Sequence, residues 1–314
     1  MINISPKILL ITNKDDFAID YLILKLAKRD IQYLRINSED ITNFRLSYGL
    51  DNNIELKYNN YIYNLKEIKS VYFRRAPSIF PKAVDSNDTT FINRERRDFL
   101  EGLYLSMEAK WINPIFATYK AERKIYQLTV AKKIGFNVPR TLGSNSPTKV
   151  LAFIKENNEC IIKPISHGLQ VTKDGIYSIY TSKVINYESI DDKEIFESPV
   201  LIQEKIDNYR DIRATVIGDR IFAVEIDTDE NNKIDWRKPN LNKIYKIHQL
   251  PKKIKELIFK LHKELNLIYS AFDFILTTAG EYYFLETNPA GEWVWLEREL
   301  NIPISEAIID ELMK

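Results

Sequence analysis

Asp273, Glu286 and Asn288 stand in "AFDFILTTAGEYYFLETNPAGEW", two carboxylates and a carboxamide inside runs that otherwise read as a buried β-hairpin. If Ala279 and Gly280 form the tight turn, Ile275 faces Phe284 and Asp273 faces Glu286, and strand alternation sets Asn288 on the same face as Glu286. Like charges placed opposite one another repel, so a half-buried pair must share a proton or bind a cation. Oxygen donors of this kind suit Mg²⁺, which takes a few carboxylates and completes its shell with phosphate oxygens and water. Singly, the three residues have plainer readings: a capping Asp273, a solvated Glu286, an Asn288 that only precedes Pro289. Their shared face is what favours a metal, and a one-residue slip in register would separate them.

A nucleotide triphosphate would supply those phosphates, and it needs cations and a dry slot for its base. Lys163 follows the apolar "CII" and precedes Pro164, interrupting a strand that reads as buried, where an unpaired ammonium is costly and a partner anion is expected. Lys124 lies near the start of its helix and can point at the same cleft, although a first-turn lysine is more often solvated surface. The backbone of "IQEKI" and Glu204 can meet an adenine, and Asp211 a ribose hydroxyl; neither signal is specific alone. Arg213 in "DIRAT" sits in an apolar strand and Arg237 in "DWRKP" follows a second hairpin. Both suit bidentate contact with phosphate or carboxylate, with a structural salt bridge as the alternative. The tandem Arg74-Arg75 must point to opposite faces of its strand, so at most one of them faces a cleft.

These residues need elements to position them. "KILLIT" (7–12) reads as a buried strand, followed by a helix opened by Asp15 or Asp16 with Phe17, Leu24 and other apolar residues available for its inner face, and then by the strand "IQYLRIN". This β-α-β opening lacks a G-x-G-x-x-G, so the N-terminal unit is not expected to hold a nucleotide. Residues 44–64 suggest a hairpin, "SVYFRRAP" a strand ending before Pro77, and 88–110 a long amphipathic helix. "AERKIYQLTVAKKIG" places Ile125, Leu128 and Ile134 at helical spacing and stops at Gly135. "CIIKPI" and "VLIQEKI" read as strands separated by a polar loop and a hairpin containing "HGLQVTKDG". Gly218-Asp219 joins two further strands. The helix "PKKIKELIFKLHKELNL" carries Pro251 in its first turn and Ile254, Leu257, Ile258, Leu261 and Leu265 along one face.

Forty-five Lys+Arg against forty-four Asp+Glu leave a formal charge of +1, so no global field recruits nucleic acid or an acidic membrane, and any anion must be held locally. With a single Cys160 and three His in 314 residues, an intramolecular disulfide and the usual zinc clusters are excluded. The N-terminal apolar run is too short for a signal peptide or a membrane span, so a cytoplasmic location is expected.

Taken in order, Lys124, the "KP" at 163–164, "QEKI…DIRATVIGDRIFAVEID…DWR" and "FDFILTTAGEYYFLETNPAGEW…PISEAI" resemble the ATP-grasp ligases, and most closely the microviridin-type peptide maturases. The resemblance extends to the N-terminal "YFRR" strand and so covers nearly the whole chain. It implies an α/β (α+β) ATP-grasp fold: an N-terminal pre-ATP-grasp domain over 1–115, a central lid over 116–200, and a C-terminal antiparallel-sheet domain over 201–314. Carried over by motif, Lys124 and Lys163 contact ATP phosphates; Gln203, Glu204, Ile206 and Asp211 line the adenosine slot; Asp273, Glu286 and Asn288 bind Mg²⁺. Arg213 and Arg237 steady the transferred phosphate and the acyl phosphate. The implied reaction is attack of a carboxylate on the γ-phosphate, then capture of the acyl phosphate by an amine or hydroxyl. The implied partner is a precursor peptide with carboxylates and a leader segment, with room for a homodimer and with neither nucleic acid nor membrane. The segment "PISHGLQVTKDGIYSIYTS" departs from the best-known microviridin maturases, and His167 within it reads as a loop histidine before a phosphate or substrate contact. The competing expectations are a ligase that joins free amino acids or extends a peptide or protein terminus, and an inactive nucleotide-binding scaffold. No Ser-His-Asp or Cys-His arrangement is evident, in keeping with a reaction that needs no enzyme nucleophile.

Overall fold

The computed structural model describes residues 2–51, 53–76, 88–166, 168–172, 175–185, 187, 190, 195–207, 209–228, 234–238 and 242–314; His167 lies outside them. The chain divides into two compact units, one of residues 1–115, 266–269 and 292–314, the other of 116–265 and 270–291.

The first unit opens with β1 (Ile2–Ile4), β2 (Ile8–Thr12), α1 (Phe17–Lys28) and β3 (Tyr33–Asn37), then β4 (Arg45–Gly49), β5 (Asn53–Tyr58), β6 (Tyr61–Asn64) and β7 (Ser70–Phe73). α2 (Thr89–Leu105) and β8 (Lys110–Ile112) follow. β3-β2-β7-β8 is a parallel sheet, and β1-β6-β5-β4 a second, mixed one. Every residue of β2 is buried, as expected of a central parallel strand covered on both faces. Asp16 caps α1 by accepting from the Ala18 N–H. The inner face of α1 differs from the sequence expectation: Ala18, Ile19, Leu22 and Leu26 are buried, while Phe17 and Leu24 are exposed. Positions 19, 22 and 26 follow the i, i+3, i+7 stripe, and 17 and 24, seven apart, share the opposite side.

The second unit begins with α3 (Ile115–Ala121), α4 (Lys124–Ile134), β9 (Thr141–Ser144), α5 (Pro147–Glu156) and β10 (Cys160–Lys163). The hairpin β11 (Leu169–Thr172) and β12 (Gly175–Ser178), β13 (Ser182–Lys183) and β14 (Val200–Glu204) follow. β13-β10-β14-β9 is an antiparallel sheet with α5 on one face, where Val150 and Ile154 pack on Cys160 and Ile202. β15 (Arg210–Ile217), β16 (Arg220–Thr228), β17 (Lys243–Ile247), α6 (Lys252–Glu264), β18 (Tyr269–Leu276) and β19 (Tyr282–Asn288) complete it, the strands ordered β17-β16-β15-β18-β19. α4 ends at Gly135, whose φ of +110° suits glycine. The chain then re-enters the first unit through α7 (Val294–Leu300) and α8 (Ile304–Met313). No helix among the described residues is long and apolar enough to cross a membrane.

Candidate active site

Asp273 and Glu286 do pair across β18 and β19, by a route different from the one the sequence suggested. The loop holds three residues, Thr278 to Gly280, closed by Thr277 N–H to Glu281 O at 3.0 Å, with Gly280 left-handed at φ +78°. That loop pairs Leu276 with Tyr282, Ile275 with Tyr283 and Phe274 with Phe284, so Ile275 does not face Phe284. A bulge between Asp273 and Phe274 then leaves Leu285 as the extra residue and restores Asp273 opposite Glu286 and Ala271 opposite Asn288. Without it Phe284 and Glu286 would share a face. With it Phe284 stacks in the core on Phe136 at a ring separation of 5.4 Å, and Glu286 turns to the opposite side. The bulge is what aims the acid.

The cations reach Glu286 from three separate elements. Gln127 on α4 clamps β19 at Thr287, donating to its carbonyl at 2.8 Å and accepting from its N–H at 3.0 Å. Lys124, one turn before Gln127, is thereby set 3.7 Å from Glu286 Oε2 and donates to the carbonyls of Pro164 and Ser166 at 2.7 and 3.3 Å. Arg237 Nη1 lies 3.6 Å from Glu286 Oε1. Arg213 donates to Asp273 Oδ2 at 2.7 Å. Gly291 lets this guanidinium approach the backbone: a Cβ there would lie 2.5 Å from Arg213 Nη2 and 2.6 Å from the Ala271 Cβ.

The electrostatics follow from burial among mixed charges. Burial, with Lys124 and Arg237 beside it, pushes the Lys163 ammonium down to about 8 despite the attraction of Glu286. Burial also opposes the charge on Glu286, but Lys124, Arg237 and Lys163 outweigh it and hold the carboxyl below its ordinary range. Asp273 goes the other way: burial pushes its carboxyl up, Arg213 opposes, and the Glu286 charge adds to the rise. The two facing carboxylates thus differ in proton affinity, Asp273 holding its proton more tightly and Glu286 less tightly than an ordinary carboxyl. Asp273 Oδ1 is buried with no hydrogen-bond partner among the described residues.

Lys124, Lys163, Asp211, Asp235, Arg237, Asp273 and Glu286 line one cleft of about 720 Å³, part of it open to solvent. Asn288 is on the Glu286 face of β19, its Oδ1 accepting from the Ala290 N–H at 2.9 Å. Gln203 pairs with Ile161, which lines the cleft, and so shares the cleft face of its sheet. Glu204 points to the other face: its Oε1 accepts from the Arg140 N–H at 2.8 Å, so only the backbone of Glu204 is left to meet a base. Ile206 lies just past the end of β14 and is not among the residues lining the cleft.

Asp235 is the residue that sequence reading missed. It is buried, accepts from Arg237 Nε and Nη2 at 2.8 and 2.7 Å, and accepts from the Thr181 N–H at 3.0 Å. Arg237 holds its carboxyl below the ordinary range although burial acts against the charge. The signal was its place two residues before Arg237 in "DWR", the spacing that lets one carboxylate fork onto one guanidinium. Arg74 and Arg75 resolve into an interior and a surface member: Arg74 is fully buried, Arg75 half exposed.

Comparison with known proteins identifies the family and the fold. Residues 121–312 match the RimK-like ATP-grasp domain, and residues 7–118 the MvdD pre-ATP grasp domain. The chain belongs to the RimK-like ATP-grasp family. Among solved structures, this ATP-grasp ligase is similar to the RiPP-associated ATP-grasp ligase of Chryseobacterium gregarium, in complex with ADP and a leader and core peptide. The identity is 27% over 100% of this chain and 97% of that one, with a TM-score of 0.87. The macrocyclase MdnC of Microcystis aeruginosa, bound with precursor peptide MdnA, is 26% identical over 98% and 99% of the two chains, with a TM-score of 0.85. The tetrahydromethanopterin:alpha-L-glutamate ligase of Methanococcus maripaludis is 23% identical over 97% of both chains. The α/β architecture is thus the ATP-grasp fold with its pre-ATP-grasp domain.

Proposed function

We propose that this ligase uses ATP and Mg²⁺ to activate a carboxylate of a ribosomally made precursor peptide, closing an amide or ester bond within it. The observation that carries the reading is the convergence, in one cleft, of Lys124, Lys163 and Arg237 on Glu286 beside the Arg213-Asp273 pair. The donor set fits the metal: Asp273 has a buried oxygen with no partner among the described residues, Glu286 is ionised, and Asn288 adds a neutral oxygen on the same face. Bound there, Mg²⁺ would neutralise charge on the phosphate oxygens. Lys124 and Lys163 attract the phosphates, and Gln203, the Glu204 backbone and Asp211 take the adenosine. Arg213 and Arg237, the latter held by Asp235, steady the transferred phosphoryl group. The peptide carboxylate takes that group from ATP, releasing ADP; an amine or hydroxyl then attacks the acyl carbon and phosphate leaves. In this reading residues 1–115 are the N-terminal domain, 116–200 the lid, and 201–314 the part that carries the metal-binding hairpin. The macrocyclase and the peptide-bound ligase among the relatives support a peptide substrate over a free amino acid.

Coexpression with a precursor peptide encoded beside this protein, followed by mass spectrometry, tests it. The expected result is loss of one water per bond, with ADP formed only when the peptide is present. Addition of an amino-acid residue to the peptide would favour the glutamate-ligase-like alternative.

A further inference from the structure

We propose that Thr141 is a positioning residue that makes the nucleotide cleft select an aminopurine, by fixing the orientation of the Gln203 side-chain amide. The inference rests on the nucleotide reading above and adds a determinant of base selectivity to it. Gln203 lies in β14 between Thr141 on β9 and Ile161 on β10, each directly paired with it. Directly opposed side chains share a face, so the row Thr141, Gln203, Ile161 points to the cleft side, as does Lys163 two residues along β10.

The amide cannot turn either way at equal cost. Thr141 Oγ1 lies 2.7 Å from the Pro139 carbonyl oxygen, which can only accept, so the one hydroxyl hydrogen is committed there. What Thr141 still offers Gln203 is a lone pair, and the amide answers with Nε2 at 2.9 Å. A flipped amide would set Oε1 and the Pro139 oxygen in competition for a single hydrogen. The relay from Pro139 through Thr141 therefore leaves Oε1 as the outward half of the amide. That oxygen is buried and has no hydrogen-bond partner among the described residues, a rare condition for a buried acceptor. A donor completes it. The exocyclic amine of adenine is such a donor, whereas the carbonyl at the same position of hypoxanthine or guanine opposes acceptor to acceptor.

Equilibrium binding of Mg-ATP and Mg-ITP to the full chain tests this, since hypoxanthine differs from adenine at that carbonyl. Wild type is expected to prefer ATP by about tenfold or more. Thr141→Val keeps the shape but cannot accept, so the amide is free to turn and the preference narrows by about tenfold. Thr141→Ser, which keeps the hydroxyl, retains it. Should the valine variant not fold, Thr141→Ala serves: it too removes the hydroxyl, so the same narrowing is expected, and an unchanged ATP-to-ITP ratio overturns the proposal. An unchanged ATP-to-ITP ratio in Thr141→Val overturns the role of Thr141 while leaving the ligase reading intact. A wild type that binds neither nucleotide overturns both.

Discussion

Arg74 in the first unit and the arginines of the cleft in the second are built from the same ingredients and differ in how completely their charges are met. Arg74 is fully buried; its Nε donates to Asp16 at 3.2 Å and its Nη2 to Glu292, and Asp16 is itself filled by the Thr12 hydroxyl at 2.6 Å and the Ala18 N–H. In the cleft, Glu286 meets Lys124 and Arg237 at 3.7 and 3.6 Å, and Asp273 keeps an oxygen without a partner among the described residues. A buried ion pair whose donors and acceptors are satisfied holds a fold in one arrangement; a cluster that attracts without closing leaves coordination capacity for a ligand. Sequence alone could not rank Arg74 against Arg213, since both interrupt apolar strands.

That contrast can be broken most directly at Glu286. Glu286→Gln keeps volume and removes the charge, and peptide-dependent ADP formation is expected to fall about a thousandfold, roughly 4 kcal/mol of barrier, with little change in melting temperature. Turnover close to wild type would mean that the loosely paired acid is as structural as Asp16. The opposite signature is expected of Arg74→Met, which leaves Asp16 buried and unpaired: stability in urea drops by roughly 3 kcal/mol, while turnover per folded molecule is retained. Selective loss of activity without destabilisation would place Arg74 with the cleft residues instead.

Lys163→Ala should weaken ATP binding by about thirtyfold, near the 2 kcal/mol of a charge-assisted contact, and peptide binding far less. Equal losses for both would count against a phosphate role. The smallest effect is also the most specific. The Lys163 ammonium, pushed down to about 8 by burial, loses its charge as pH rises through that value, earlier than an ordinary lysine. kcat/KM for ATP should therefore decline on the alkaline side, roughly fourfold by half a unit above the midpoint, and Lys163→Arg should flatten that limb. A wild-type profile level to pH 9.5 would refute the shifted lysine.

Much of the fold was legible because it is local. Asp16 as a cap, Gly135 as a stop, Gly218-Asp219 as a hairpin turn and the stripe on α6 each follow from a residue's own backbone preference or from periods of two and 3.6. The errors are local in origin too. Hydrophobicity alone makes Phe17 and Leu24 available for the inner face of α1, but the buried stripe runs through Ile19, Leu22 and Leu26. The hairpin register was right at Asp273 and Glu286 for an incomplete reason: a three-residue loop shifts the pairing by one and the bulge at Leu285 shifts it back. Loop length and bulge are settled by the packing of Phe284 against Phe136, Phe272 and Phe274, which no short window of sequence contains.

By itself, the sequence determined which oxygens and cations are available and which strands and helices carry them, because side-chain chemistry and local periodicity need no distant partner. Only the tertiary structure decided that Lys124, Lys163 and Arg237, from three separate elements, gather around Glu286, and that Glu204 is turned away to Arg140. Those choices depend on how α4 clamps Thr287 and how β19 bulges at Leu285. Contacts between residues about fifty to more than a hundred and fifty positions apart are fixed by packing, where burial and charge compensation are settled together and not one residue at a time.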